Sequence, residues 1–297
     1  MKVVQLPHSL DYRGLDELFA VGEEIGDAKV LFDARRLRWI DPVGMIGILS
    51  LGKVVAERIG TRPALQLPEQ GEVAGYLGRM GFAAAAGEIF EAEPPLPTRT
   101  ASASDVLLEI TPITRNHDVH AVVERVQDRA GTILSRSLHY PPTAVVQFSV
   151  ILSEVCQNIL EHAEAPGWVC AQTYNWKKRL GRPVLVIGVG DVGRGFQGSL
   201  AGEHSGRFGD RWGDSTALEA AFIHGLTRFP DQGRGQGIQQ IRKQVRRWNG
   251  VIAIRSGSAR IADVPDWEEL PPLEDGLVRF PGSQITIVLP AATTENE

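Results

Sequence analysis

The chain has 297 residues, of which 43% are hydrophobic and 23% charged, and a formal net charge of −5. Its length and apolar content suit two buried cores, whereas the acidic balance disfavours a generic binder of nucleic-acid backbones. The seven histidines form no HExxH-like pair and Cys156 and Cys170 lack metal-ligand spacing, which argues against a metalloenzyme.

The amino-terminal third alternates strands and helices. Val30-Leu31-Phe32-Asp33-Ala34 predicts a strand, Arg38-Trp39-Ile40-Asp41-Pro42-Val43-Gly44 a turn, and Met45 to Ile59 a helix that stops at Gly60. Ala64 to Leu67 predicts the next strand and Val73 to Met80 a short helix, so this part is a small α/β unit. The strand, Asp-containing turn and helix over Phe32 to Leu51 resemble the domain of sulfate transporters and anti-sigma-factor antagonists (STAS). In antagonists of that family a phosphorylatable Ser or Thr stands immediately before the turn glycine. Here Val43 stands there and Asp41-Pro42 replaces Asp-Ser, so neither position offers a hydroxyl. The expectation is a STAS-like docking or regulatory domain over 1–92, not a phosphoryl acceptor.

Residues 91–104, EAEPPLPTRTASAS, are rich in Pro, Ser and Thr and lack periodicity. They predict a linker, assigned to 93–104, that is stiff enough to set a limited range of distances between the flanking domains. Asn116 to Leu138 then predicts a helix. In the next helix Val146, Val150, Ile151, Val155 and Ile159 make an apolar stripe, while Glu154, Asn158 and His162 recur at every fourth position on a polar face. A carboxylate and a carboxamide one turn apart are hard oxygen ligands that magnesium accepts while keeping several waters. Cys156 is expected near the core as a small hydrophobe.

Val184 to Val189 predicts a buried strand with Asp191 at its end, where a carboxylate can accept a hydrogen bond from the exocyclic amine of a base. Gly193 and Gly195 let the backbone pass close to a flat ligand. From Phe196 to Gln232, glycines alternate with charged residues, predicting a segment too polar and flexible to build a core, although Asp214 to Gly225 regains helical periodicity. Arg194, Arg207, Arg211 and Arg234 are candidates to meet phosphate oxygens; Arg207 and Arg211 read equally well as solvated surface charges. Gly233, Gly235 and Gly237 lead into a helix from Ile238 to Trp248, whose amide-rich start favours anions. Its cluster Arg242, Lys243, Arg246 and Arg247 reads as a solvated face.

Taken in order, these segments resemble the Bergerat-fold ATPases, which include histidine kinases, gyrase-type and chaperone ATPases, and the anti-sigma-factor serine kinases. The resemblance covers residues 105–293. Glu154 and Asn158 fall on the N box, Asp191, Gly193 and Gly195 on the first glycine box, and Gly233, Gly235 and Gly237 on the second. Gly282-Ser283 to Pro290 is similar to the closing strand, with Ser283 in place of the usual Thr. The resemblance implies an α/β class with two domains, the second a Bergerat-fold α/β sandwich. It also implies an ATP and Mg²⁺ site: Asn158 as metal ligand, Glu154 as catalytic base or water-orienting group, and Asp191 on the adenine amine. The Gly233–Gly237 loop with Arg234 would lie on the phosphates, His162 and Ser283 at the nucleotide, and Phe196 to Gln232 would be the lid.

Among such proteins, the histidine-kinase reading finds no His-Glu-x-x-Thr-Pro-like pattern around His117. The gyrase and chaperone reading lacks a transducer after Pro290. The chain most resembles the anti-sigma-factor serine kinases. It would either transfer phosphate to a regulatory protein partner, antagonist-like or sigma-factor-like, or use ATP as a conformational switch; a homodimer stays open. No apolar run approaches the roughly 20 residues that cross a bilayer, and Met1 to Pro7 lacks a signal-peptide pattern, so a cytoplasmic location without membrane contact is expected.

Overall fold

The computed structural model describes residues 1–23, 25, 28–93, 106–228 and 237–292, and the molecule is mixed α/β. The amino-terminal part contains β1 (Lys2–Gln5), β2 (Ser9–Leu10), α1 (Leu15–Glu23), β3 (Val30–Asp33), β4 (Trp39–Ile40) and α2 (Pro42–Ile59). It continues with β5 (Ala64–Gln66), α3 (Gly71–Arg79), α4 (Phe82–Gly87) and β6 (Glu91–Glu93). Strands β1, β3, β5 and β6 form a parallel sheet in that order, each crossover made by helix or loop, as parallel pairing requires. Glu93 pairs with Gln66 at the end of β6, so strand structure reaches one residue into the segment assigned to the linker. The rest of that segment, 94–105, lies outside the described residues.

Helix α2 is built to be central. Asp41 caps its start by accepting the Gly44 N–H at 2.8 Å, Pro42 occupies the first turn where no amide donor is needed, and Gly60 (φ 70°) ends it in the left-handed conformation. Every residue from Pro42 to Gly52 is buried. A helix apolar all round must be covered all round.

The second part contains β7 (Val106–Ile113), α5 (Asn116–Thr132), α6 (Pro142–Asn158), β8 (Gly167–Trp176), β9 (Arg182–Asp191), α7 (Gly195–Phe208) and α8 (Asp214–Phe222). It closes with α9 (Gly237–Arg247), β10 (Val251–Gly257), β11 (Ala259–Asp263), β12 (Leu273–Glu274) and β13 (Phe280–Pro290). Among the described residues the strands form a seven-stranded antiparallel sheet in the order β12-β11-β10-β13-β9-β8-β7. Side chains alternate across it. Leu185, Ile187, Val189, Ile285 and Ile287 face the helices, packing with Phe148, Leu152 and Val155 of α6, Leu218 and Phe222 of α8, and Ile241 and Val245 of α9. Val184, Val186, Cys170 and Val288 point the other way and join one core with Phe32, Ile46, Leu49 and Phe90 of the amino-terminal part.

That shared core corrects the picture of two units spaced by a stiff tether. Packing fixes their distance, and polar contacts reinforce it. Arg255 of β10, 5% exposed, pairs with Asp16 of α1 at 3.0 Å, and Glu268 pairs with Arg179 and accepts the Tyr12 hydroxyl. The hydroxyls of Tyr76 and Tyr174 meet at 2.5 Å.

Two further expectations change. The apolar stripe of α6 runs through Ala144, Phe148, Ile151, Leu152 and Val155, whereas Val146 and Val150 are 66% and 50% exposed. Two positions from a buried residue is the opposite side of a helix, so those valines fall off the packed face. The run Pro142–Glu161, with mean hydropathy 1.3, is long and apolar enough by length and composition to cross a membrane; 44% of it is buried within the molecule.

Candidate functional site

A cavity of about 420 Å³ opens between α6, the ends of β9 and β13, α7 and the start of α9. Helix α6 supplies Glu154 and Asn158, one turn apart on the cavity wall, together with Gln157. After Asn158 the chain enters a π-helical turn, Ile159–Ala163. The side chain of His162, which falls in that turn, lies outside the described residues.

Asp191 is the last residue of β9 and is 3% exposed. Its Oδ1 accepts the Gly193 N–H at 2.8 Å and its Oδ2 accepts the Ser283 hydroxyl at 2.5 Å, across 92 positions of sequence. Burial raises the pKa of this carboxyl, and the hydrogen bonds from Ser283 and Gly193 oppose that rise. Around the pair the backbone leaves no room for side chains. Gly282 sits at φ 76°, and a Cβ there would lie 2.2 Å from the Asp191 carbonyl oxygen. Gly195 sits at φ 64° with Ser256 Oγ 2.6 Å from where its Cβ would be; Gly193 does not line the cavity but presses on the backbone of Ala163.

Ser256 of β10 carries no motif signal, yet it joins the two glycine turns. Its hydroxyl donates to the Gly282 carbonyl at 2.9 Å and accepts the Phe196 N–H at 3.1 Å. Val189, Ile285, Phe196, Leu200 and Ile238 give the cavity an apolar lining beside its polar wall. Thr227, another residue without a motif, lines it from the segment after α8.

Gly237 opens α9 against Glu154, whose Oε2 lies 2.3 Å from where a Cβ at that position would stand. A carboxylate there meets the positive end of the helix dipole. Gly233, Arg234 and Gly235 lie outside the described residues. The candidate phosphate arginines disperse: Arg194 is ion-paired with Glu164, which also holds Arg228 at 2.9 Å, and Arg207 and Arg211 do not line the cavity. Arg242 and Arg246, expected on a solvated face, both bond Asp263, at 2.6 and 3.1 Å.

The segment expected to be too polar and flexible for a core is largely helical. Ser199 and Leu200 of α7, and Ala217, Leu218, Ala220, Ala221 and Phe222 of α8, are buried. Its glycines misled because Gly202, Gly206 and Gly213 face open space, so they sit on the solvent side of structure whose other side packs.

Among the described residues no group of three or more His, Cys, Asp and Glu could hold a metal ion. Magnesium asks for less, one or two protein oxygens with water and phosphate completing the shell. The Asn158 carboxamide oxygen is one such ligand by type; its Nδ2, a donor that a cation would not engage, is buried without a hydrogen-bond partner and is free to meet an acceptor in the cavity. Val43 is fully buried behind the sheet, on the face opposite Asp191 and the cavity, with its carbonyl bonded to Gln284 at 2.8 Å. Comparison with protein-family models, with curated proteins and with solved structures gives no match for this chain.

Proposed function

We propose that this is an ATP-binding regulatory protein whose Bergerat-type half, 105–293, takes Mg-ATP in the cavity and whose STAS-like half is its regulatory layer. One observation carries the reading: Glu154, Asn158, Asp191, the glycine opening α9 and Ser283, whose first and last members are 129 positions apart in the chain, line one cavity. Its volume falls in the range of small-molecule and cofactor sites, roughly 300–1,000 Å³.

On this reading Asp191, oriented by Ser283 and Gly193, accepts a hydrogen bond from the adenine amine, while Val189 and Ile285 lie along the base. Asn158 would hold magnesium, which when bound neutralises phosphate charge. Glu154 orients or deprotonates the hydroxyl of a serine or threonine on a protein partner. That partner would be an antagonist-like or sigma-factor-like regulator, and the setting is the cytoplasm. The amino-terminal turn is not the acceptor, since Val43 has no hydroxyl.

Incubation with γ-labelled ATP and proteins encoded by neighbouring genes tests the reading. Label on a partner serine or threonine, lost in Glu154→Ala, establishes transfer. Binding of ATP without any transfer assigns the protein to the conformational-switch class, and failure to bind ATP by calorimetry overturns the proposal.

A further inference from the structure

The backs of the strands that carry Asp191 and Ser283 are occupied by the first turns of α2. Gly190, the residue before Asp191, would with a Cβ strike Ile46 Cγ2 at 2.6 Å, and Gly188 would meet the backbone of Pro42 and Val43 at 3.0 Å. Glycine at both positions lets the helix lie directly on β9. Gln284, the residue after Ser283, is the antiparallel partner of Gly190 and is 1% exposed. Its Nε2 donates to the Val43 carbonyl at 2.8 Å. The start of α2 is therefore fastened to the neighbour of Asp191 on one strand and to the neighbour of Ser283 on the next.

The hydrogen bonding of Gln284 is incomplete, because its Oε1 is buried with no partner. An apolar side chain of the same length would take this donor from the Val43 carbonyl and would also remove one unsatisfied acceptor, so the cost of the first is partly offset by the second. The amide can therefore be probed without unfolding the protein.

We propose that Gln284 is a positioning residue for the Asp191–Ser283 pair, through which the docked α2 turn holds the base-recognising carboxylate from behind the sheet. The inference rests on the reading that the cavity takes an adenine nucleotide. It makes the amino-terminal layer a structural part of nucleotide recognition, although none of its residues lines the cavity.

The test is Gln284→Met in the full chain, with Gln284→Leu as a second variant should methionine fail to pack. Thermal midpoints should stay near wild type. ATP affinity should fall about 5-fold, the equivalent of one hydrogen bond, and the preference for ATP over GTP should narrow, since Asp191 reads the amine. Without any nucleotide, amide hydrogen exchange should quicken at Gly193, whose N–H is held by Asp191, and at Ser283 to Ile285. Unchanged exchange at those amides would overturn the positioning role, whatever the cavity binds. Altered exchange in a protein that binds no adenine nucleotide would instead sink the functional reading and leave the mechanical coupling standing. An affinity loss matched by an equal loss of stability would reduce Gln284 to a packing residue.

Discussion

The two faces of the seven-stranded sheet are made from the same strands and have opposite properties. On the helix side the packing stops short at the ends of β9 and β13 and leaves a cavity of about 420 Å³. On the other side α2 closes against glycines, and the space left between the layers beside Tyr12, Asp16 and Arg255 is about 10 Å³, on the scale of a single water. Charged groups follow the same division. Arg255 behind the sheet is held by Asp16 and by the carbonyls of Gly257, Ala259 and Val278, whereas Asp191 in front, buried and bonded to Gly193 and Ser283, lines the cavity. A close-packed face gives stability and defined strand positions, and a face left incompletely packed gives room for a ligand.

Removing one face should break the comparison most completely. Residues 1–95 cover Val184, Val186, Cys170 and Val288, so their deletion exposes a continuous apolar surface. We expect the truncated protein to aggregate or to lose its cooperative melting transition, and ATP binding with it. A soluble 96–297 fragment with wild-type ATP affinity by calorimetry would show the faces to be independent.

A milder probe uses charge behind the sheet. Asp41 is fully buried, with Oδ2 unpartnered, and burial, opposed by the Gly44 N–H, pushes its pKa up to about 8. The folded state thus binds a proton more tightly than the unfolded chain, and stability is greatest below the ordinary carboxylate pKa. It should decline as pH rises towards about 8, by at most ~1.4 kcal/mol per pH unit. Asp41→Asn keeps an N-cap acceptor and should flatten this slope, leaving the variant more stable than wild type at pH 8. Parallel slopes in denaturant titrations across pH would refute the assignment.

In front of the sheet effects should fall on binding before stability. We expect Asp191→Ala to cost roughly 1–3 kcal/mol of ATP affinity through the lost base contact, with circular dichroism unchanged; equal affinity by calorimetry would displace Asp191 from the site. Smallest in binding should be the α6 pair. Asn158→Ala is expected to remove the magnesium dependence of ATP affinity, and Glu154→Ala to retain nucleotide while losing transfer or turnover. Full activity in Glu154→Ala would remove the carboxylate from the chemistry.

Much of this was legible from residue order. The strand ending at Asp191, the helix from Met45 to its glycine stop, which in the structure starts three residues earlier at Pro42, and the helix after Gly237 follow from local periodicity and from glycine and proline placement, which act within a few residues. Glu154 and Asn158 could be placed on one face because helical geometry is local, whereas the π-helical turn that follows them carries no such signal in the residue order. One signal was present but unread. Val184 to Val189 and Ile285 to Leu289 are apolar at both parities, the pattern of strands covered on both faces, and it points to the docked amino-terminal layer.

By itself, then, the sequence determined the α/β class, most element positions and the residues to suspect at a cavity, since these depend on patterns a few residues long. Only the tertiary structure decided that Ser283 bonds Asp191, that Ser256 ties two glycine turns together, and that Val43 lies sealed behind the sheet. Those contacts join positions from 26 to 241 residues apart. Nothing in local periodicity encodes them, because they arise when cores close and bring distant strands into one register.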